Sequence, residues 1–323
     1  VRQRLKEKFG LGDELANVGA RKASGFGTEE GKEREPNFSG YFRTAQTMFL
    51  TEEDIDVISA VIAAAAKEAQ TVKIFEKVKA KDLQKNAEDK GIRPLTADIA
   101  LFGRMVTSEA FVNVEASSQF AHALSTHKVD HEFDYFTSVD DLERAADDSA
   151  GAGADMIGDV EFNSACYYKY FNVHVDGLVD NLTGKAFDKN KQVAGEDAKK
   201  ARAVARKAVR SLIEAACLVT PSGKQNSFAA HQLPSLLWIE VRERNLPVSY
   251  ANAFCDPVNP KDKSGLEAAS ATALKTECEK LSRMYGLEAR KRLLLAKDGE
   301  FQILGVASSD SLSTILDAVE AEV

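Results

Sequence analysis

Apolar positions along the chain change period several times, and each change predicts an element. Val1-Arg2-Gln3-Arg4-Leu5-Lys6 has the spacing of an amphipathic helix already under way. Between residues 19 and 43, Gly19, Gly25, Gly27, Gly31, Pro36 and Gly40 are scattered among mixed charges with little periodic apolar content, which predicts a mobile loop. Thr51 followed by Glu52, Glu53 and Asp54 predicts a helix start, since the hydroxyl caps free amides and the carboxylates face the positive end of the dipole. Ile55, Ile58, Val61, Ile62 and Ala65 then mark its apolar face.

From Ile99 to Phe136 the apolar runs are short and lack helical period, with Gly103 among them, and predict strands and a protruding hairpin. Residues 143 to 159 are acidic and rich in Gly and Ala, hence loop. Tyr167, Lys169, Phe171, Val173 and Val175 alternate with Tyr168, Tyr170, Asn172 and His174, the period of a two-faced strand. A long helix follows at 195 to 218, with Val204, Ala205, Ala208, Val209, Leu212, Ile213 and Ala216 on one side and Lys and Arg on the other. Leu236 to Val241, with the single Trp238, predicts a strand. Leu274, Cys278, Leu281 and Tyr285 predict a helix closed by Gly286. Leu293–Ala296 and Phe301–Val306 predict a hairpin turned by Asp298-Gly299, and Leu312, Ile315, Leu316 and Val319 a final helix. Helices and strands mix without a βα repeat, so the expected class is α+β with helical insertions.

The 323 residues exceed the usual single core, and 44% hydrophobic content suits a water-soluble chain. No run approaches the length of a membrane span and no signal-peptide pattern opens the chain, which makes a cytoplasmic location the default. Cys166, Cys217, Cys255 and Cys278 are too widely spaced for a zinc ribbon and read as buried thiols. The net charge of −8 runs against nucleic-acid binding, which usually draws on excess cations, so local clusters must carry any such role. Lys73, Lys77, Lys79, Lys81 and Lys85 form one cluster, read equally well as a solvated helix side. Lys224, Gln225 and Asn226, on a turn with Pro221 and Gly223, suit phosphate and sugar contacts. Lys169 sits among aromatic strand neighbours.

Chemistry is sparse. Gly25-Phe26-Gly27 is a weak phosphate-loop signal that follows no strand and lacks a third glycine. His122, His127 and His131 lie near Asp130, Glu132 and Asp134 but at no recognised zinc spacing. No nucleophile elbow, Walker loop or kinase motif occurs. Asp134, Asp140 and Asp141 are the candidates for a divalent ion in phosphodiester cleavage, though such a run is more often a solvated turn.

Three stretches resemble the CasC family of type I-E CRISPR Cascade backbone subunits. They are Asp98-Ile99-Ala100-Leu101-Phe102-Gly103-Arg104-Met105, Ala121-His122-Ala123-Leu124-Ser125-Thr126-His127 and Asp134-Tyr135-Phe136-Thr137-Ser138-Val139-Asp140-Asp141-Leu142. Glu161-Phe162 with Tyr168 to Asn172, Gly223 to Ala230, and Ser249-Tyr250-Ala251-Asn252-Ala253-Phe254 match in the same order.

The resemblance implies an RRM-like, ferredoxin-like palm with a helical fingers insertion and a β-hairpin thumb. It places fingers at 1–97, the thumb and its base at 98–157 and the palm core at 158–323. It implies a non-catalytic subunit that polymerises along the CRISPR RNA in a bacterial antiviral ribonucleoprotein and displays bases for pairing with target double-stranded DNA. Its partners would be other copies of itself and the large, small, CasD-like and CasE-like subunits, with no membrane, cofactor or metal. Met105 and Phe136 would wedge beside everted nucleotides, with Arg104 beside them. The lysines from Lys73 to Lys85 would attract the duplex. Family members begin with a strand and a basic, Ser-rich segment that nothing before Val1 matches, so the first palm strand is expected to be missing here. Related subunits of type III complexes cut RNA with a thumb-loop aspartate, which keeps a metal-dependent endoribonuclease as the competing expectation. A protein-binding scaffold is a third.

Overall fold

The computed structural model describes residues 1–26, 32–37, 39, 41–44, 47–88, 95–106, 113–138, 156–185 and 192–323. Its first half runs α1 (Arg2–Glu7), α2 (Asp13–Ser24), α3 (Glu52–Ala69), α4 (Val72–Phe75), α5 (Ala80–Glu88), α6 (Ala97–Phe102), β1 (Ser118–Phe120), β2 (Leu124–Ser125), β3 (Glu132–Ser138) and β4 (Met156–Phe162). The second runs β5 (Tyr167–Tyr168), β6 (Phe171–Val173), α7 (Val175–Thr183), α8 (Gly195–Leu218), α9 (Gln225–Phe228), β7 (Leu236–Val241), α10 (Leu266–Tyr285), β8 (Lys291–Ala296), β9 (Gln302–Ile303), β10 (Val306–Ala307) and α11 (Leu312–Glu322). Helices and small antiparallel sheets mix as an α+β chain requires. The chain packs as two compact units, residues 1–119 with 171–219 and 316–323, and residues 120–170 with 220–315. These cut across the three consecutive segments expected from the sequence.

The first unit is mostly helical. Thr51 and Asp54 form a capping box, each side chain accepting the other's backbone N–H at 3.0 Å. Ile58, Val61 and Ile62 then bury one face of α3 against Leu5, Ala16, Val18, Phe26, Phe75 and Leu83. Gly19 belongs to this core rather than to a loop. A Cβ there would lie 2.7 Å from a Leu5 methyl and 2.9 Å from an Ile62 methyl, so its bare backbone is what lets α2 approach α1 and α3. Phe26 is a buried core side chain, and the Gly25 and Phe26 N–H groups donate to the carbonyls of Lys22 and Ala23, both at 3.1 Å, so neither amide is offered to a phosphate; Gly27 lies outside the described residues. In α8, Ala201, Ala205, Val209, Ile213 and Cys217 are buried while Val204 faces solvent.

Several strand expectations are corrected. Ile99–Phe102 is helical, because a run of three buried residues, Ile99, Ala100 and Leu101, satisfies a helix set between its neighbours as well as it does a buried strand. Asn181 fixes α6 from outside by donating to the carbonyls of Ala100 and Glu115, both at 2.9 Å. The alternation from Tyr167 to Val175 breaks into β5 and β6 and passes into α7. Met156–Asp159 is not loop but the start of β4, paired to β3 over seven residues.

In the second unit β7 pairs antiparallel with β8, from Leu236↔Ala296 to Val241↔Lys291. The expected hairpin at Asp298-Gly299 does not form between these strands. The tight turn is instead Leu304-Gly305, both at positive φ, joining β9 to β10. Tyr250, Leu274, Cys278, Leu294 and Ile303 form the core, and Gly286 caps α10 in the left-handed conformation as expected. No helix among the described residues is long and apolar enough to cross a membrane.

Candidate nucleic-acid interface

In the first unit, α6 ends at Gly103, where φ is +77° and a Cβ would sit 2.7 Å from the Val114 carbonyl oxygen. Only glycine fits there. The chain then turns extended, and Arg104 and Val114 exchange backbone hydrogen bonds of 2.9 and 2.8 Å. Extended backbone sends successive side chains to opposite sides. Arg104 is buried, with Nη1 2.8 Å from the equally buried Asp54 carboxylate, and Val106 is buried too. Met105 between them is 88% exposed. The guanidinium that the resemblance placed at the nucleic acid therefore faces the core, where it ties α3 to the Gly103 bend by pairing with the carboxylate of the Asp54 capping box. The flexible thioether beside it faces solvent.

In the second unit, β3 and β4 form a two-stranded ribbon with Phe136 opposite Gly158. Cross-strand partners share a face. One face carries Phe136, Met156, Val160 and Phe162; the other carries Phe133, Tyr135 and Ile157. Tyr135 is 75% exposed, Ile157 72% and Phe136 41%. The strands also carry Glu132, Asp134, Asp159 and Glu161 and no Lys or Arg, so their electrostatics disfavour phosphate and favour apolar or stacking contact.

Cations stand beside the ribbon rather than on it. Phe162 at its base packs on Phe228 at a ring separation of 5.8 Å, which seats the segment 221–229 there. Lys224 lies at φ +60° and Ala229 at +46°, two left-handed residues around the short α9. Gln225 Nε2 donates to the Pro221 carbonyl at 2.7 Å, folding the segment on itself. Lys224 and Asn226 are exposed. Lys169 is exposed between β5 and β6, while its neighbour Tyr168 turns inward, accepting the Tyr250 N–H at 2.9 Å and packing on Phe254 at 5.4 Å.

Tyr250 donates in turn to Glu240 at 2.8 Å, and Glu240 holds Arg242 at 2.6 Å and Arg292 at 3.2 Å. Burial and the Glu240 carboxylate push the Tyr250 phenol well above its ordinary value, and burial pushes the Cys278 thiol up to about 12.

The remaining candidates are dispersed. Lys73 lies in α4, Lys77 and Lys79 in the link after it, and Lys81 and Lys85 in α5; all five are exposed. They do not line one continuous helix as the sequence implied. His127 accepts the Cys166 N–H on Nε2 at 3.3 Å and places Nδ1 2.8 Å from the Lys128 carbonyl, and His131 contacts Glu161. Among the described residues no group of three or more His, Cys, Asp or Glu side chains is arranged to hold a metal. Asp134 is exposed on the ribbon; Asp140 and Asp141 lie outside the described residues. Sequence reasoning missed Tyr135, Ile157 and Gly158 as parts of the ribbon surface. The alternation that would have found the last two is masked by the acidic, Gly- and Ala-rich stretch leading into β4.

A family model described as CT1975-like protein matches residues 1–320. No curated protein matches the chain. Among solved structures, a chain of a "CRISPR RNA-guided surveillance complex, pre-nicking" is similar at a TM-score of 0.72 and 26% identity, covering 99% of this chain and 81% of that one. A chain of a "CRISPR RNA-guided surveillance complex" is similar at 0.56 and 29% identity, covering 70% and 77%.

Proposed function

The chain belongs to the CT1975-like protein family, and from that premise we propose that it is the guide-RNA-holding backbone subunit of a CRISPR RNA-guided surveillance complex of type I-E. It is cytoplasmic and non-catalytic, and repeats along the guide beside other copies and the remaining subunits. The second unit's sheets and helices correspond to an RRM-like palm and the β3–β4 ribbon to a thumb.

The observation that carries this reading is the division of labour at Arg104-Met105. A buried ion pair fixes the backbone while an apolar side chain with no core role is held 88% exposed. Phe136 is likewise displayed on a ribbon whose strands bear no cation. Both side chains suit a space beside an unstacked base, where such contact is worth roughly 1 to 3 kcal/mol whatever the base. Lys169, Lys224 and Asn226 supply the sequence-blind backbone contacts, Gln225 shapes their turn, and the exposed lysines from Lys73 to Lys85 meet the target duplex. Specificity is left to base pairing.

The test is purification of the assembled complex, measurement of its RNA content, and incubation with complementary RNA and magnesium. Co-purifying guide and intact target RNA are expected. Absence of RNA would favour a protein scaffold, and cleavage abolished by Asp134→Ala, Asp140→Ala or Asp141→Ala would install the endoribonuclease reading instead.

A further inference from the structure

The β3–β4 ribbon pairs with no third strand among the described residues, and it exposes side chains on both faces, Tyr135 and Ile157 on one, Phe136 and Met156 on the other. Two strands without a covered face are marginal by themselves. The attitude of the ribbon is therefore set at its base, where the segments 126–131 and 163–166 join it to the second unit.

Those segments continue the β2–β5 pairing, Leu124↔Tyr168 and Ser125↔Tyr167, so Thr126 stands opposite Cys166. The Thr126 N–H donates to the Cys166 carbonyl at 2.9 Å. An antiparallel pair of this kind ordinarily returns a bond from the Cys166 N–H to the Thr126 carbonyl. Here the Thr126 carbonyl accepts from the Val258 N–H at 2.9 Å, and the Cys166 N–H donates to His127 Nε2 at 3.3 Å. The imidazole supplies the acceptor that the backbone has turned toward Val258, at the step where the two chains part toward the ribbon.

The ring is held from both sides. Because Nε2 accepts an N–H it carries no proton, and in a neutral imidazole the proton then sits on Nδ1, which donates to the Lys128 carbonyl at 2.8 Å. Ser125 Oγ donates to the His127 carbonyl at 2.6 Å, and Thr126 Oγ1 lies 2.8 Å from Ser270 Oγ of α10, with both residues buried. One side chain thus bonds the outgoing chain at Lys128 and the returning chain at Cys166, on a footing fixed to α10 and to Val258.

We infer that His127 is a positioning residue of the ribbon: its Nδ1–H tautomer clamps the two chains at the base and so sets where Phe136 is presented. The clamp stands on these bonds alone; only its consequence for target binding rests on the proposed function. Glutamine carries the same two groups, an acceptor Oε1 and a donor Nε2, whereas phenylalanine fills the space of the ring with neither.

The experiment compares wild type, His127→Phe and His127→Gln by amide deuterium exchange of the full chain and by target-DNA affinity of the guide-loaded assembly. In His127→Phe the amides of 132–138 and 156–162 should exchange about fivefold faster, the effect of one lost hydrogen bond, while those of 236–241 and 291–296 keep their rates. The melting temperature should fall by no more than about 3 °C. Target affinity should fall by up to about tenfold, as the Phe136 contact is misplaced. His127→Gln should restore both the exchange rates and the affinity. Ribbon exchange unchanged in His127→Phe overturns the inference, as does equal acceleration in β7 and β8, which would make His127 a general support of the unit. Should His127→Phe not fold, the ring nitrogen shifts of the wild-type histidine decide, and a proton found on Nε2 overturns the clamp. A loosened ribbon with undiminished target affinity would uphold the clamp and sink the role given to Phe136 under the proposed function.

Discussion

The ring of Phe136 occupies the space that a side chain on its cross-strand partner Gly158 would need: a Cβ there would meet the ring's Cζ at 2.7 Å and Cε1 at 2.9 Å. Glycine at 158 thus sets where the ring rests. Gly158→Val should lift the ring away and lower target-DNA affinity about tenfold, close to the effect of Phe136→Ala, with the melting temperature little changed because the ribbon is exposed. Binding measured on guide-loaded complexes checks this, and wild-type affinity in Gly158→Val would show that the ring's position is irrelevant.

Arg104 and Met105 should separate stability from binding. Arg104→Ala leaves the Asp54 carboxylate buried without its cation, a loss of about 3 to 5 kcal/mol that should lower the melting temperature of the free subunit by several degrees. Met105→Ala should leave melting within a degree or so and weaken target binding. The opposite pattern would place Met105 in the core.

Replacing Lys73, Lys77, Lys79, Lys81 and Lys85 by Ala should reduce duplex binding and flatten its salt dependence by about 0.9 in log–log slope for each lysine that touches a phosphate. A slope identical to wild type would make them a solvated surface.

Alkaline pH should destabilise the second unit. The Cys278 thiol, raised from 9.0 to about 12, and the Tyr168 and Tyr250 phenols, raised above 10.0, are raised chiefly by burial and keep their protons to higher pH when folded than when unfolded. Unfolding therefore releases protons once the pH passes about 9. The stability these groups contribute is full below that point and lost as pH rises toward 12. Urea midpoints measured from about pH 8 to 11 should fall across this window, and a flat profile would contradict the burial of these groups.

The sequence by itself determined the elements whose signals are local. Thr51 and Asp54 announced a capped helix because the cap is made within four residues. The long face of α8 announced itself by period, and Gly286 marked a helix end because few other residues accept its conformation. Gly103 was noticed but not understood, since the atoms that exclude a Cβ come from Val114 and Ala116. The site divides in the same way. Resemblance nominated Met105 and Phe136, and charge in an acidic chain nominated Lys224 and Lys169; the structure adds that all four are exposed.

Only tertiary structure decided that Arg104 turns inward, because its partner Asp54 lies fifty residues away and one step of an extended backbone chooses which of two neighbours meets it. It also decided that Leu293–Ala296 pairs with Leu236–Val241 rather than with its near neighbour, and that Gly19 is a packing notch rather than a loop residue. In each case the deciding atoms are close in space and distant along the chain, and no local pattern carries that information.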